Sequence, residues 1–93
     1  MSRRKLNYTS SFKKDYKKFS NILALLPEWI EAMYCLLNNK QMSKERKDHE
    51  LHGDMQGYRD CHILPDLVLV YKKIQDEIIL VRLGSHSELR LMK

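Results

Sequence analysis

The stretch from Gly57 to Gly84, GYRDCHILPDLVLVYKKIQDEIILVRLG, decides the fold. Tyr58 to Leu64, Leu67 to Ile74 and Ile78 to Leu83 are short runs rich in Val, Ile, Leu and Tyr, separated by Pro65-Asp66 and by Gln75-Asp76-Glu77. Breakers that short between β-forming runs predict two consecutive hairpins. Leu67 to Tyr71 is apolar at every position, which suits a central strand covered on both faces. Side chains alternate along a strand, so Tyr58, Asp60 and His62 share one face while Arg59, Cys61 and Ile63 share the other. Cys61 and Ile63 belong against a core. Asp60 and His62 are expected on the open face.

Outward from this sheet, Arg4 to Tyr8 reads as a short strand, and Thr9, Ser10 or Ser11 can cap the helix that follows. Phe12, Tyr16 and Phe19 recur at i, i+4 and i+7 with Lys13, Lys14, Lys17 and Lys18 between them, giving an amphipathic helix with a basic outer face. Ser20-Asn21 reads as a break. Leu26, Trp29, Ile30, Met33, Leu36 and Leu37 then predict a second helix to about Asn38, with Pro27 in its first turn. Lys40 to Asp48 carries no apolar period and reads as a loop or one short turn. After Gly84-Ser85, Glu88 to Met92 has room for a terminal turn of helix. The order strand, helix, helix, strand, strand, strand is an α+β fold, a single domain over residues 1–93 with helices packed on one face of a mostly antiparallel sheet. Apolar stripes at helical spacing are read as core.

Length agrees with one domain: 93 residues leave no room for a separate cofactor module. A hydrophobic fraction of 43% with 3 Gly and 2 Pro excludes disordered and collagen-like classes. The net charge of +5 is unevenly placed, with 11 basic and 5 acidic residues from Met1 to Asp48 against 6 and 7 from His49 to Lys93. A basic half of this kind suits a polyanion, because Lys and Arg near phosphates release condensed counterions. Cys35 and Cys61 are far apart and form no C-x-x-C, and no signal peptide opens the chain, so two idle thiols in a reducing cytoplasm are expected. The longest apolar stretch, Ile22 to Leu37, is broken by Pro27, Glu28 and Glu31 and falls short of the ~20 residues of a membrane helix.

Four histidines, His49, His52, His62 and His86, are the prominent chemical groups, and there is no Gly-rich phosphate loop, G-x-S-x-G or two-metal carboxylate cluster. A zinc site from His49, His52, Cys61 and His62 fails on strand alternation, which points Cys61 and His62 to opposite faces. No metal and no cofactor is expected. Arg82, inside the run Ile78 to Leu83, must pair with a carboxylate such as Asp66 or Asp60, or meet an anion. RNA carries its own nucleophile, the 2′-hydroxyl. A nuclease for RNA therefore needs only a base, an acid and a cation for the phosphorane, each acid or base step being worth ~10²- to 10⁴-fold.

Lys47-Asp48-His49-Glu50-Leu51-His52-Gly53, Gly57-Tyr58-Arg59-Asp60-Cys61-His62, Pro65-Asp66, Leu69-Val70-Tyr71 and Arg82-Leu83-Gly84-Ser85-His86 together resemble the YafQ branch of the RelE/ParE toxin superfamily. The C-terminal half matches in order and spacing; the N-terminal part matches in element order. The resemblance implies a bacterial type II toxin, a ribosome-dependent endoribonuclease that cuts mRNA in the A site, acts in the cytoplasm and is neutralised by a cognate antitoxin. Operator DNA would be met only through the antitoxin complex. The family's catalytic positions fall on His49, His62 and His86, its acidic residue on Asp66 and its phosphate-facing arginine on Arg82. His86 is the expected general acid and Arg82 the phosphorane stabiliser, with the base left open among His62, His49 and Asp66. Lys13, Lys14, Lys17, Lys18, Lys44, Arg46, Lys47 and Arg90 are the expected contacts to ribosomal RNA or substrate. Leu67 and Arg90 stand where the family often has aromatics, which puts codon preference in question, since a stacked base is worth ~1 to 3 kcal/mol. The alternative is a non-catalytic, ParE-like toxin or basic adaptor of the same fold, because fold alone does not settle activity.

Overall fold

A computed structural model of the chain describes residues 4–89. Strand β1 (Lys5–Tyr8) leads into helix α1 (Ser10–Lys17), a four-residue helix α2 (Ser20–Leu23) and the longer helix α3 (Pro27–Leu37). A single tight turn at Lys44–Arg46 and the two-residue strand β2 (His49–Glu50) precede the meander of β3 (Arg59–Leu64), β4 (Leu67–Ile74) and β5 (Glu77–Gly84), and helix α4 (His86–Leu89) follows. The strands form one sheet in the order β1-β5-β4-β3-β2. β1 runs parallel to β5, and every other pairing is antiparallel. This is the α+β architecture expected, with two hairpins and β4 at the centre.

The differences have local causes. Ser20-Asn21 does not break the helical region but opens α2, because the Ile22 and Leu23 amides both turn back to the carbonyl of Phe19. β2 is too short for any periodic signal. The last helix is seated earlier than read, on His86, and Arg90 lies outside the described residues.

Thr9 is the cap of α1: its hydroxyl accepts from the Phe12 amide at 3.0 Å and donates to the Val81 carbonyl at 2.8 Å. One side chain thus ends β1, starts α1 and ties both to β5. Phe12, Leu23, Trp29, Ala32, Cys35 and Leu36 from the helices meet Cys61, Ile63, Leu69, Tyr71, Ile78 and Leu83 from the sheet in one buried core. Both thiols are free and buried, as read. Burial pushes the Cys61 thiol above its ordinary range, so it stays protonated and inert. No helix among the described residues is long and apolar enough to cross a membrane.

Tyr71 is completely buried inside this core, yet its hydroxyl reaches the Asp48 carboxylate, which also accepts from Arg59 at 3.3 to 3.4 Å. That network fastens the chain just ahead of β2 to the middle of the sheet. Thr9→Ala removes a cap and a cross-element bond together. It should cost about 1 to 2 kcal/mol in urea unfolding, with the m-value unchanged.

Candidate active site

The sheet register assembles the site. His49 lies opposite Asp60, Asp60 opposite Val70 and Val70 opposite Arg82, so one row across β2, β3, β4 and β5 ends in a histidine on one side and an arginine on the other. The next row joins His62, Val68 and Gly84, two residues ahead of His86. Opposed residues share a face, and this is the face turned away from Cys61 and Ile63.

His62 and His86 meet directly. Their ring centroids are 4.9 Å apart in an edge-on arrangement. His86 is held by Asp66 from the β3–β4 turn, whose Oδ1 lies 3.3 Å from both the His86 backbone nitrogen and its Nδ1. Those bonds hold the exposed Asp66 carboxyl below its ordinary value. The His62 pKa is lowered too, by desolvation and then by the nearby His86, which favours the neutral ring.

His49 is placed by its neighbours. Lys47 sits in the left-handed region at φ 47°, and its carbonyl lies 2.8 Å from His49 Nδ1, which fixes that nitrogen as the donor. Asp60 Oδ1 is also only 3.2 Å from Nδ1, but it takes no hydrogen bond from any described residue. Asp60 departs from expectation in its exposure. It occupies the predicted face yet is only 2% exposed, since Val68 and Val70 beside it are buried as well. Burial raises its pKa, and the facing His49, His62 and His86 partly offset that. Nothing in the strand pattern signals this burial.

Arg82 pairs neither with Asp66 nor with Asp60, the two partners the sequence suggested. Its Nε and Nη2 grip the Asp15 carboxylate of α1 at 2.7 and 3.3 Å, and Asp15 also accepts from the Leu83 amide at 2.9 Å. Asp15 was missed because it lies 67 residues away and hides among the lysines of a helix read as a basic outer face. Burial alone would raise its carboxyl, but the Arg82 and Leu83 bonds outweigh it and hold the pKa low. The Arg82 side chain remains 41% exposed, and its Nη1 is left without a partner among the described residues.

Of the basic set, Lys13, Lys14, Lys17, Lys18, Lys44 and Lys47 are exposed. Arg46 is a correction. It is buried, with Nη1 bonded to the carbonyls of His62 and Ile63 at 2.9 and 2.6 Å and Nε paired with Glu31 at 3.3 Å. It ties α3 to the bend at the end of β3 and has no free face for RNA. His52 takes no part in the cluster: it is exposed in the loop after β2.

The family described as "Bacterial toxin of type II toxin-antitoxin system, YafQ" matches residues 4–91, and the chain belongs to it. A putative toxin YafQ of Haemophilus influenzae is 38% identical, covering 94% of this chain and 92% of its own. The mRNA interferase toxin YafQ of Escherichia coli K12 is 32% identical over 96% and 98% of the two chains. YafQ in a solved E. coli DinJ-YafQ complex superposes with a TM-score of 0.79 over 92% of this chain and 97% of that one, at 32% identity. A copper-bound mutant toxin from Helicobacter pylori superposes with a TM-score of 0.84 at 41% identity, covering 92% and 98% of the chains. In the present chain, no group of three or more His, Cys, Asp or Glu among the described residues is arranged to hold a metal ion.

Because Asp15 is stabilised as the anion, its contribution to folding is present above the ordinary carboxylate value and is lost as pH falls through its lower folded value. Asp15→Asn should therefore melt below the wild type at pH 7, and the gap in melting temperature should close as pH drops below ~3.8. Melting curves by circular dichroism across that range provide the check.

Proposed function

We propose that this chain is a ribosome-dependent endoribonuclease that cuts mRNA in the A site, restrained in the cell by a cognate antitoxin. The observation that carries the reading is the contact between His62 and His86, with His86 anchored on Asp66. Two imidazoles held differently are what a transesterification needs. His62, whose surroundings favour the neutral ring, takes the proton of the 2′-hydroxyl as its oxygen attacks phosphorus. The Asp66 carboxylate accepts from His86 Nδ1, which orients the ring and leaves Nε2 to face the departing 5′-oxygen as the general acid. One P–O bond forms and one breaks, giving a 2′,3′-cyclic phosphate and a 5′-hydroxyl. The free edge of Arg82 serves the extra phosphorane charge, and the Asp15 grip holds it at the sheet rim. His49, oriented by the Lys47 carbonyl, widens the same face towards the scissile group.

Support for the substrate comes from two directions. The E. coli relative is named an mRNA interferase toxin, and the relative in complex with DinJ is a toxin bound to its antitoxin. In this chain, the exposed Lys13, Lys14 and Lys17 lie on α1, Lys18 ends it, and Lys44 and Lys47 lie just ahead of β2, which suits a surface of ribosomal RNA. A gyrase poison of the ParE kind has no use for His49, His62 and His86 at these places, which sets the non-catalytic alternative second.

His86→Ala should abolish growth arrest on expression with the circular-dichroism spectrum retained, and primer extension on cellular mRNA should lose discrete A-site ends. Retained arrest in His86→Ala would remove the acid–base reading. The acidic limb of cleavage should fall below the ~6.5 of a free imidazole, because the base must be neutral and His62 holds its proton weakly. A limb at or above that value in a pH series with initiated ribosome complexes would exclude His62 as base. Single Lys→Ala changes at Lys13 to Lys18 should each lower the salt slope of ribosome binding by roughly one phosphate's share.

A further inference from the structure

We propose that Glu88 is a positioning residue for the general acid: with Ser85 and Gly84 it builds the seat that aims His86 at the departing 5′-oxygen. The inference rests on the acid–base reading of His86 given above. His86 opens α4, a helix of only four residues. So short a helix has little stability of its own. The Leu89 amide closes its turn on the Ser85 carbonyl at 3.0 Å, and side chains do the rest. The Ser85 hydroxyl accepts from the Glu88 amide at 3.1 Å, while Glu88 Oε1 accepts from the Ser85 amide at 2.9 Å. Ser85 and Glu88 thus satisfy each other's amides in a reciprocal capping box. The bond from the Ser85 amide is the main cause that holds the Glu88 carboxyl below its ordinary value, so the acceptor is the anion.

Gly84, the last residue of β5, gives that carboxylate its room. A Cβ on Gly84 would stand 2.9 Å from Glu88 Oε1, too close to be kept, whereas Leu89 Cδ2 and Cγ at 3.4 and 3.6 Å would be ordinary contacts. The Gly84 backbone does not lie in the left-handed region, so space and not conformation calls for glycine here. On its other side His86 is held by Asp66 alone. Both of those contacts, from the His86 amide and from Nδ1, are long at 3.3 Å, and the Asp66 side chain is 75% exposed. A tether of that kind leaves the ring free to turn unless the backbone beneath it is fixed. The box between Ser85 and Glu88 fixes it, and so keeps the ring edge-on to His62. Glu88 acts through His86 and not on the phosphate, because a carboxylate against the scissile group would repel it.

The test is cleavage by the full chain of mRNA in initiated ribosome complexes, at the bond the wild type cuts. Glu88→Ala should lower kcat at least about tenfold, a share of the ~10²- to 10⁴-fold an acid step supplies, with KM changed less than about twofold. Glu88→Gln, which keeps an acceptor in place, should recover to within about threefold of the wild type. Gly84→Ala should match Glu88→Ala, and the double variant should be no slower than either, because without the carboxylate the added methyl meets only ordinary contacts. A second substrate carries sulfur in place of the 5′-oxygen at that bond. Sulfur departs as a thiolate without taking a proton, so a missing general acid costs nothing there. On that linkage His86→Ala and Glu88→Ala should both cleave within about threefold of the wild type. Wild-type rates in Glu88→Ala, Glu88→Gln as slow as Glu88→Ala, or a Glu88→Ala defect that persists on sulfur while that of His86→Ala is relieved overturns the positioning role and leaves His86 as the acid. If sulfur does not relieve His86→Ala, the acid reading falls and the seat falls with it.

Discussion

A guanidinium in the middle of an apolar strand needs an anion, and in this chain a carboxylate from the first helix supplies it. Asp15 binds Arg82 with two bonds and the Leu83 amide with a third, and the acid is itself buried. Removing one partner of such a pair leaves the other charge uncompensated, which is far costlier than never having had the pair. The consequence is geometric as well as energetic. α1 cannot slide along β5, and Arg82 cannot swing away from the rim where His86 stands. The same carboxylate therefore sets both the packing of the first helix and the aim of the Arg82 guanidinium.

Much of the fold was legible because its signals are periodic. The run Leu67 to Tyr71 announced a central strand, and all five residues are buried in β4. The alternation of β3 sorted Cys61 and Ile63 into the core correctly, and the Thr9 cap and the Pro27 start of α3 followed from local chemistry. What escaped was what has no period. Two residues of β2 have no pattern to show, and the helical turn at Ser20–Leu23 is sustained by backbone bonds to Phe19 that any sequence can make.

At the site, residue types were legible and partners were not. His62, His86 and Asp66 were nominated from the motifs and stand together. Arg82 was recognised as needing an anion, but the nearest acids in sequence were the wrong ones, because the parallel pairing of β1 with β5 brings α1 over β5. Arg46 was counted with the surface lysines on charge alone. Its guanidinium instead turns inward, Nη1 donating to two strand carbonyls beside the register shift after His62 while Nε faces Glu31.

The parallel pairing has one more outcome, which concerns the order of assembly. Lys5 pairs with Glu77 across about seventy residues of intervening chain, the longest closure in the sheet. Such contacts form late, since the entropy of closing the loop is spent before any reward arrives. β1 and α1 emerge early during synthesis, yet Asp15 has no guanidinium to hold until β5 has followed. A nascent fragment thus holds neither a fixed cation nor a finished rim. The rim of this polypeptide is completed in a single late event, after its own translation has passed the final strand.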